Sequence, residues 1–445
     1  MYVNTNTSGN LVLTNQIVNN ISSPNGINLT NVFNAIANYR TNAYEVFNND
    51  SIYCPDLEDE ETVLAMQQGE EYDIERAKAP SPSKGSINVL TILIQFQDVK
   101  FEQPTAVQDY FDRLMNDEDF IHPNNQNNIT GSVREYWEEV SYGQLSTNTI
   151  VVGPYTADNN IEYYESTRNT ENGSIDTHKT KKLIKEAIKA ASKDVNMQLF
   201  DNNNNGFVDF VHVVFAGTSD YIWPHQSAIF GMVKDWVWVS RYIITPEKEY
   251  GRYASIGVIC HEMGHAFGAP DFYDVNYGDD GQYQGTGRWD LMASGDKNNR
   301  KHSPAHPNPY IKTEIFDWVN ATELSGKNRL YKLRPSELDG NSIYKISTTT
   351  PNEYYFLENR QDENLDGTGL LIYHIHSNIT PINFWFNNLN NTHPQKVYVV
   401  DANNHIEKSA METPESYGNI NSANATFRST NSKNMYFTSE SLPSN

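Results

Sequence analysis

The stretch that decides both fold and chemistry reads HEMGHAFGAPD and covers residues 261–271. Within a helix, His261 and His265 lie one turn apart on the same face, so both imidazoles can reach one metal ion. Glu262 follows the first imidazole, where its carboxylate can hold a metal-bound water rather than bind the metal. Zinc would lower the pKa of that water toward ~7, and Glu262 would take its proton as general base. The stretch therefore predicts a catalytic zinc site on a helix.

The residues after the second histidine supply a candidate third ligand. Gly268 can end the helix in a turn with positive φ, and the reversed chain can then bring Asp271 back to the metal. Two alternatives stay open. Asp271 could be a helix-exit or turn residue, with a more distant Glu or His as the ligand, or both histidines could be metal-free polar surface residues. With three protein ligands, the fourth zinc position stays open for water, as a catalytic site requires.

Apolar patterns on either side of this stretch predict strands and helices in the same domain. Residues 87–96 and 207–215 are nearly continuous apolar runs and predict buried strands. Helical spacing of apolar residues is found at 105–116, from Ser132 to about Gly143, at 179–194 and at 253–267. After about residue 320, strands alone are predicted, at 342–346, 353–358, 369–376 and 396–401. This order favours an α+β fold with a β-rich C-terminal part.

A second candidate cation site lies in the segment DNNNNGFVD, residues 201–209. Its oxygen-bearing residues at loop positions 1, 3, 5 and 9 are Asp201, Asn203, Asn205 and Asp209. With glycine at position 6, this pattern is that of the first part of a calcium loop. Position 12 is His212, so the closing bidentate carboxylate is missing. Calcium is therefore a candidate second ion, and an Asn-rich turn before a buried strand is the alternative.

Length, composition and charge limit the classes of function. The 445 residues suffice for two or three domains, and 38% apolar residues allow a sizeable core. The 33 basic and 56 acidic residues give a net charge of −23, which disfavours nucleic acid as a partner. No apolar run approaches the ~20 residues of a membrane-spanning helix, and the chain starts without a signal peptide pattern. We therefore expect no membrane insertion, and nothing in the sequence indicates the oligomeric state.

Residues 261–271 together with WDLMASG at 289–295 resemble the metzincin-type zinc proteases, and more narrowly the immune inhibitor A family of peptidases. In metzincins a methionine turn lies beneath the metal, and Met292 fits that place. The further matching segments are INVLTILIQFQDVKF (87–101), SVREYWEEVSYGQL (132–145), FDNNNNGFVDFVHVVFAG (200–217), IWPH (222–225), EYYFLENRQ (353–361) and GTGLLIYHIH (367–376).

This resemblance implies an extracellular or cell-surface endopeptidase that is made as a proenzyme and acts on proteins or peptides. The breaker-rich segment KAPSPSKG at 78–85 marks a boundary. We accordingly predict an N-terminal, pro-type region at 1–85, a metzincin-like zinc protease domain at 86–320 and a β-rich region at 321–445. Two alternatives remain, a non-catalytic surface binding protein that retains the fold and a metal-dependent hydrolase of non-peptide bonds. The presence of the base Glu262 argues against the first.

The two cysteines have separate predicted roles. Cys54 lies in the N-terminal region, where its thiolate could reach zinc and silence a proenzyme, although a plain thiol is the simpler interpretation. Cys260 precedes His261 on the predicted helix and points away from the ligand face, which predicts core packing. A disulfide between them is therefore not expected.

Overall fold

The computed structural model describes residues 2–5, 11–14, 60–67, 72–123, 131–168, 175–249, 251–276, 281–324, 331–362, 365, 367–385, 387–404, 406 and 410–428. The α-helices of this part are α1 (Glu60–Gln67), α2 (Ile74–Lys78), α3 (Val107–Asn116), α4 (Val133–Val140), α5 (His178–Ala191), α6 (Ile256–Ala266) and α7 (Pro381–Trp385). Short segments of 3₁₀ or π helix occur at Ile161–Tyr164, Met197–Phe200, Gly287–Trp289, Ser294–Lys301, Ile311–Ile315, Gly340–Ser342, Pro414–Tyr417 and Ala423–Ala425. Cys54 lies outside the described residues.

The strands form two larger sheets and two small hairpins. They are β1 (Tyr2–Thr5), β2 (Leu11–Thr14), β3 (Gly85–Gln95), β4 (Leu145–Thr156), β5 (Thr167–Arg168), β6 (Ile175–Asp176), β7 (Val211–Thr218), β8 (His225–Lys234), β9 (Val237–Glu249), β10 (Arg252–Tyr253), β11 (Thr322–Glu323), β12 (Tyr344–Ser347), β13 (Tyr354–Arg360), β14 (Gly369–Ile375) and β15 (Val397–Val399). The first large sheet has the order β4-β3-β7-β9, with β8 and β10 paired to β9, and the second runs β11-β12-β13-β14-β15.

The first sheet carries helices on both faces. Strands β4, β3, β7 and β9 are parallel, whereas β8 and β10 pair with β9 in antiparallel fashion. Alternate residues of β3 enter different cores, since Leu93 packs with α3, α4 and α6 and Ile92 packs with α5. Such strands are apolar on both faces and read as continuous hydrophobic runs. The described part of the chain is therefore a mixed α/β structure, and helix α6 lies on one face of its parallel sheet.

The second sheet shares a core with the region around α6. Phe356 of β13 and Tyr373 of β14 belong to the same buried cluster as Trp289 and Met292. Arg360 of β13 links the two parts, because its guanidinium donates to the His306 carbonyl at 3.1 Å. Its Nε is also paired at 2.7 Å with Glu358 of the same strand, and both side chains are fully buried. The β-rich part therefore shares one hydrophobic core with the region that carries the candidate site.

The chain before the predicted boundary at 85 also contacts the first sheet. The Thr62 hydroxyl of α1 accepts a 2.8 Å hydrogen bond from the Val233 amide of β8. Near the end of α6, the Ser81 amide donates to the Ala266 carbonyl at 3.0 Å. The Arg241 guanidinium donates both to that carbonyl, at 2.9 Å, and to the Ala79 carbonyl, at 2.7 Å. The three predicted regions and their boundaries stay predictions.

Several sequence predictions are confirmed at the level of single elements. The run 87–96 is strand β3, and Ser132 caps α4 through a full capping box with Glu135. The strand predicted at 207–215 instead starts at Val211, since residues 208–210 have no regular structure and Phe207 makes an isolated bridge to Trp238. Among the described residues, no helix is long and apolar enough to span a bilayer.

Candidate metal centre

Helix α6 has one buried face and one face that carries the two histidines. Ile259, Cys260 and Met263 are fully buried in the core, and burial raises the pKa of the Cys260 thiol well above its usual value. The prediction that Cys260 is a core residue is confirmed. The side chains of His261 and His265 are 12% and 15% exposed. The packing of the apolar face therefore fixes the direction in which both imidazoles point.

The chain reverses after α6 and brings Asp271 back to the two imidazoles. Gly268 has φ of 100°, and its amide donates to the His265 carbonyl at 2.9 Å. The Asp271 Oδ1 then lies 3.2 Å from the His261 Nε2 and 3.4 Å from the His265 Nε2. Within the described residues, these three form a group of His, Cys, Asp or Glu whose ligand atoms lie within 4.8 Å of one another. The structure thus places the three predicted ligands together.

Hydrogen bonds fix the tautomer of both neutral rings. The His261 Nδ1 lies 2.9 Å from the Leu291 carbonyl oxygen, and the His265 Nδ1 lies 2.8 Å from that of Ala269. A carbonyl only accepts, so each Nδ1 donates, and the neutral ring carries its lone pair on Nε2. The Asp271 Oδ1 is buried and has no hydrogen bond from the described residues. Two nitrogen lone pairs and one orphaned carboxylate oxygen therefore converge, an arrangement that a bound cation satisfies.

The electrostatics of the centre also favour positive charge. Burial lowers the pKa of His261, but the charge of the adjacent Asp271 carboxylate opposes it, and the pKa is raised. For His265 the same balance holds, with burial opposed by the Asp271 charge, and its pKa is also raised. Burial would raise the pKa of Asp271, yet the two histidines hold it well below its usual range. The field of this carboxylate therefore stabilises a cation between the three groups.

Met292 packs against the helix between the two histidines. It is fully buried, and a Cβ on Gly264 would overlap its Sδ atom, so a larger residue there would force the Met292 side chain to shift. The turn that carries Met292 is organised by the buried Asp290, whose carboxylate accepts bonds from Thr286 at 2.7 Å and Asn308 at 2.7 Å. The structure thus places Met292 against the histidine-bearing helix, and its role beneath a metal stays a prediction.

Glu262 sits next to His261 on the helix and is 6% exposed. Its carboxylate receives no hydrogen bond from the part of the chain that the structure describes. Burial raises its pKa, while the charges of His261 and His265 act in the opposite direction. A buried carboxylate without a partner and with a raised pKa is suited to proton transfer.

Sequence reasoning missed the groups that orient the ligands. The carbonyls of Leu291 and Ala269 hold the rings, and any residue type supplies a carbonyl, so no sequence signal exists for them. Asn387, from the β-rich part, accepts a bond from the Asp271 amide and donates one to its carboxylate, each at 2.6 Å. The two residues are 116 positions apart, which no local pattern could connect.

In the candidate calcium loop, side-chain oxygens accept hydrogen bonds from the loop's own backbone. The two carboxylate oxygens of Asp201 accept from the Asn205 amide at 2.9 Å and the Gly206 amide at 2.8 Å. The Asn203 oxygen accepts from the Asn205 amide at 3.1 Å, and the Asn205 oxygen accepts from the Phe207 amide at 2.9 Å. These are the contacts of a polar turn. The calcium role of the loop stays a prediction.

The other end of this loop enters the sheet. Asp209 is buried and accepts from the Asn202 side chain at 2.7 Å, and its burial raises its pKa to about 6. His212 is a fully buried residue of β7 whose Nδ1 lies 3.1 Å from the Thr91 hydroxyl and whose Nε2 lies 2.8 Å from that of Thr245. Loop position 12 therefore faces two neighbouring strands.

The two histidines on one helix, the aspartate on the reversed chain and the methionine against that helix form a candidate metal centre of the kind that metallopeptidases use. A sequence model of the immune inhibitor A peptidase M6 catalytic domain matches residues 79–212 and 202–312, just over half of the chain. The chain belongs to this family.

Two curated relatives support the same assignment. The pre-pro-metalloprotease PrtV of Vibrio cholerae serotype O1 (strain M66-2) is 26% identical over 265 residues, which cover 48% of this chain and 27% of the relative. Immune inhibitor A of Bacillus thuringiensis subsp. alesti is 24% identical over 291 residues, which cover 53% of this chain and 41% of the relative. The chain thus spans less than half the length of these relatives. The family and the metalloprotease name of one relative support a metalloendopeptidase.

Proposed function

We propose that the chain is a zinc-dependent endopeptidase that hydrolyses peptide bonds in proteins or peptides. The observation that carries this proposal is the convergence of the His261 Nε2, His265 Nε2 and Asp271 Oδ1 atoms, with Oδ1 buried and without a donor. Glu262 lies beside them with no hydrogen bond from the described residues. Membership of a peptidase family supports peptide bonds as the target.

The donor set suits zinc. Two imidazole nitrogens and one carboxylate oxygen, with further positions left for water and substrate, are typical of catalytic Zn²⁺ sites. Bound there, zinc supplies a Lewis acid that polarises the scissile carbonyl and lowers the pKa of water. The carbonyls of Leu291 and Ala269 keep both Nδ1 atoms protonated and both Nε2 atoms available as ligands. His261, His265 and Asp271 would hold the ion.

Glu262 is the proposed general base. Its buried carboxylate has a raised pKa, so it is a stronger proton acceptor than an exposed glutamate. It takes a proton from the attacking water and delivers that proton to the leaving amine. The absence of a competing hydrogen bond from the described residues keeps the carboxylate available for both transfers.

The proposal also covers the metzincin-like fold, the pro-type region, the location of the protein and a calcium ion. A metzincin-like fold at 86–320 is supported by Met292, which packs against the histidine-bearing helix. A pro-type region at 1–85 and an extracellular or cell-surface location are supported by the name of one relative, a pre-pro-metalloprotease. A calcium ion at 201–209 is supported by the residue pattern of the loop.

Replacing Glu262 tests the proposal. Glu262→Ala and Glu262→Gln should lower casein or gelatin cleavage by about 10²–10⁴-fold, the usual contribution of a general base, while the zinc content stays stoichiometric. Glu323→Gln is the matched control, because Glu323 lies on the exposed strand β11 and accepts hydrogen bonds from Ser347 of the neighbouring strand β12. Cleavage by both Glu262 variants at the wild-type rate would refute the assigned base. Zinc-free native protein would refute the metal centre.

A further inference from the structure

We propose that Asn387 is a positioning residue for the third metal ligand and that it commits Asp271 to ligation through Oδ1 alone. The proposal rests on the proposed function, because it assumes that the convergent group binds a metal. It assigns part of the metal centre to the β-rich C-terminal region, outside the predicted catalytic domain at 86–320.

The contact between the two residues uses both ends of the Asn387 amide. The Asp271 backbone amide donates to the Asn387 Oδ1 at 2.6 Å, and the Asn387 Nδ2 donates to the Asp271 Oδ2 at 2.6 Å. A backbone N–H can only donate, so the oxygen end must face it and the NH₂ end must face the carboxylate. The orientation of the amide is therefore determined by chemistry.

This contact divides the two carboxylate oxygens of Asp271 between two partners. Oδ2 is occupied by the Asn387 NH₂ group, whereas Oδ1 is buried, has no hydrogen bond from the described residues, and faces both imidazoles. A carboxylate held in this way cannot rotate to offer both oxygens to the ion without losing a charge-assisted hydrogen bond. Asn387 thus selects one oxygen as the ligand and fixes its direction.

Neighbouring asparagines attach the same segment to the loop after α6. The Asn390 Nδ2 donates to the Phe272 carbonyl at 2.9 Å, and the Asn391 Oδ1 accepts from the Val275 amide at 3.2 Å. We call Asn387, Asn390 and Asn391 the asparagine latch. Because three side chains hold the stretch that starts at Asp271, the position of this ligand depends on the latch as well as on the turn at Gly268.

The latch is itself held by the second sheet. The Asn390 Oδ1 accepts from the Val397 amide at 3.1 Å, and its Nδ2 also donates to the Val397 carbonyl at 2.7 Å. Asn387 has φ of 50°, a left-handed conformation that asparagine tolerates better than most residues. The backbone and the anchoring strand therefore present the Asn387 amide to Asp271 in a fixed position.

The decisive variant is Asn387→Asp, which keeps size and backbone preference but turns the NH₂ donor into an oxygen that repels Asp271. Loss of a group that orients a metal ligand typically weakens metal binding by about 10–100-fold. We expect that loss in the zinc affinity measured by competition with a chromophoric chelator. We also expect an altered visible absorption spectrum of the Co²⁺-substituted protein, since this spectrum reports ligand geometry. A purely structural role would leave that spectrum unchanged.

Asn388→Asp is the matched control. Asn388 is the adjacent asparagine, and its side-chain oxygen accepts from Asn383 at 3.1 Å, so an aspartate there keeps the same bond. Its zinc affinity and cobalt spectrum should equal those of the wild type. Asn387→Gly is a second variant, since glycine adopts φ of 50° without strain and only removes the two hydrogen bonds. Circular dichroism establishes that each variant is folded.

Unchanged zinc affinity and cobalt spectrum in Asn387→Asp and Asn387→Gly would overturn the proposal. A crystal structure of the zinc-loaded wild type tests it without any variant. We expect Oδ1 as the ligand atom of Asp271 with Oδ2 on the Asn387 amide, and a zinc bound by both oxygens or an Asn387 turned away would overturn it. If the wild type itself binds no zinc, the proposed function fails. If the wild type binds zinc and the Asn387 variants keep the wild-type zinc affinity and cobalt spectrum, the proposed role of Asn387 fails while the proposed function stands.

Discussion

Residues 261–271 and residues 201–209 both carry the spacing of a cation site, yet the structure treats their ligand atoms differently. At 261–271, two Nε2 atoms and the Asp271 Oδ1 converge without a donor from the described residues. At 201–209, oxygens of Asp201 and the asparagines accept bonds from the loop's own amides. Residue spacing alone does not distinguish the two stretches. The hydrogen-bond partners of their acceptor atoms do distinguish them.

The difference has a physical source in the partners that each stretch meets. The rings of His261 and His265 donate through Nδ1 to carbonyls, which leaves their second nitrogens as acceptors. In the other stretch, short asparagine and aspartate side chains reach the amides two to five positions further along the chain. A loop that satisfies its own oxygens gains less from an ion than a centre whose acceptors have no other partner.

Metal removal should give the largest difference between the two stretches. Stripping zinc with 1,10-phenanthroline should lower casein cleavage by at least about a thousandfold, because the Lewis acid supplies several kcal/mol. Added zinc should restore the rate. Removing calcium with EGTA in a zinc buffer should change the rate and the melting temperature far less, since the oxygens at 201–209 keep their backbone partners. Loss of activity in EGTA despite buffered zinc would reverse the comparison.

Truncating Met292 should have the next largest effect, on stability. Met292→Ala leaves a cavity against α6 and should lower the free energy of unfolding by about 3 kcal/mol, as expected for a fully buried methionine. Met292→Leu roughly conserves the volume and should cost less than about 1.5 kcal/mol. Urea denaturation of both variants measures this. Equal losses in the two variants would show that packing does not support this stretch.

The smallest expected effect is a pH dependence of the free energy of unfolding that comes from His212, just after residues 201–209. Burial lowers the pKa of His212 to about 3, so below its unfolded value near 6.5 the unfolded chain binds a proton that the folded chain does not. The contribution of His212 to the free energy of unfolding is therefore fully present above pH 6.5 and falls as the pH drops toward 3. Between pH 7 and pH 5 the wild type should lose about 2 kcal/mol from this residue.

His212→Gln removes that titration and keeps a polar side chain between Thr91 and Thr245. The measurement is the free energy of unfolding at pH 7 and pH 5, because the difference between the two cancels any general cost of the substitution. We expect the variant to lose about 2 kcal/mol less than the wild type over this range. An identical loss in the wild type and the variant would mean that His212 takes up its proton in the folded protein too, as a solvent-exposed histidine would.

Elements with a strong local pattern were predictable from the sequence. The apolar run of β3 and the capping box of Ser132 and Glu135 were recognised because each depends on residues close together in the chain. Strands β4, β8 and β9 were missed. In β4 the inward positions include Thr147 and Thr149, and polar side chains on the inward face conceal a strand.

The candidate site shows the same limit. The convergence of His261, His265 and Asp271 follows from helical spacing and a glycine turn, both of which are local. The contact with Asn387 joins residues 116 positions apart through a second sheet, and only the tertiary structure brings them together. The β-rich part was predicted as an extension, and its involvement in the centre was not.

Gly264 of the histidine-bearing helix lies directly against the side chain of Met292 in the turn. A Cβ at position 264 would overlap the Met292 sulfur, so the two positions are mutually dependent although 28 residues separate them. A larger residue at position 264 therefore requires the Met292 side chain to shift or a shorter residue to replace it. In a randomised library these positions would show epistasis, with permitted pairs rather than permitted single residues. An engineer who alters this site has to treat helix and turn as one unit.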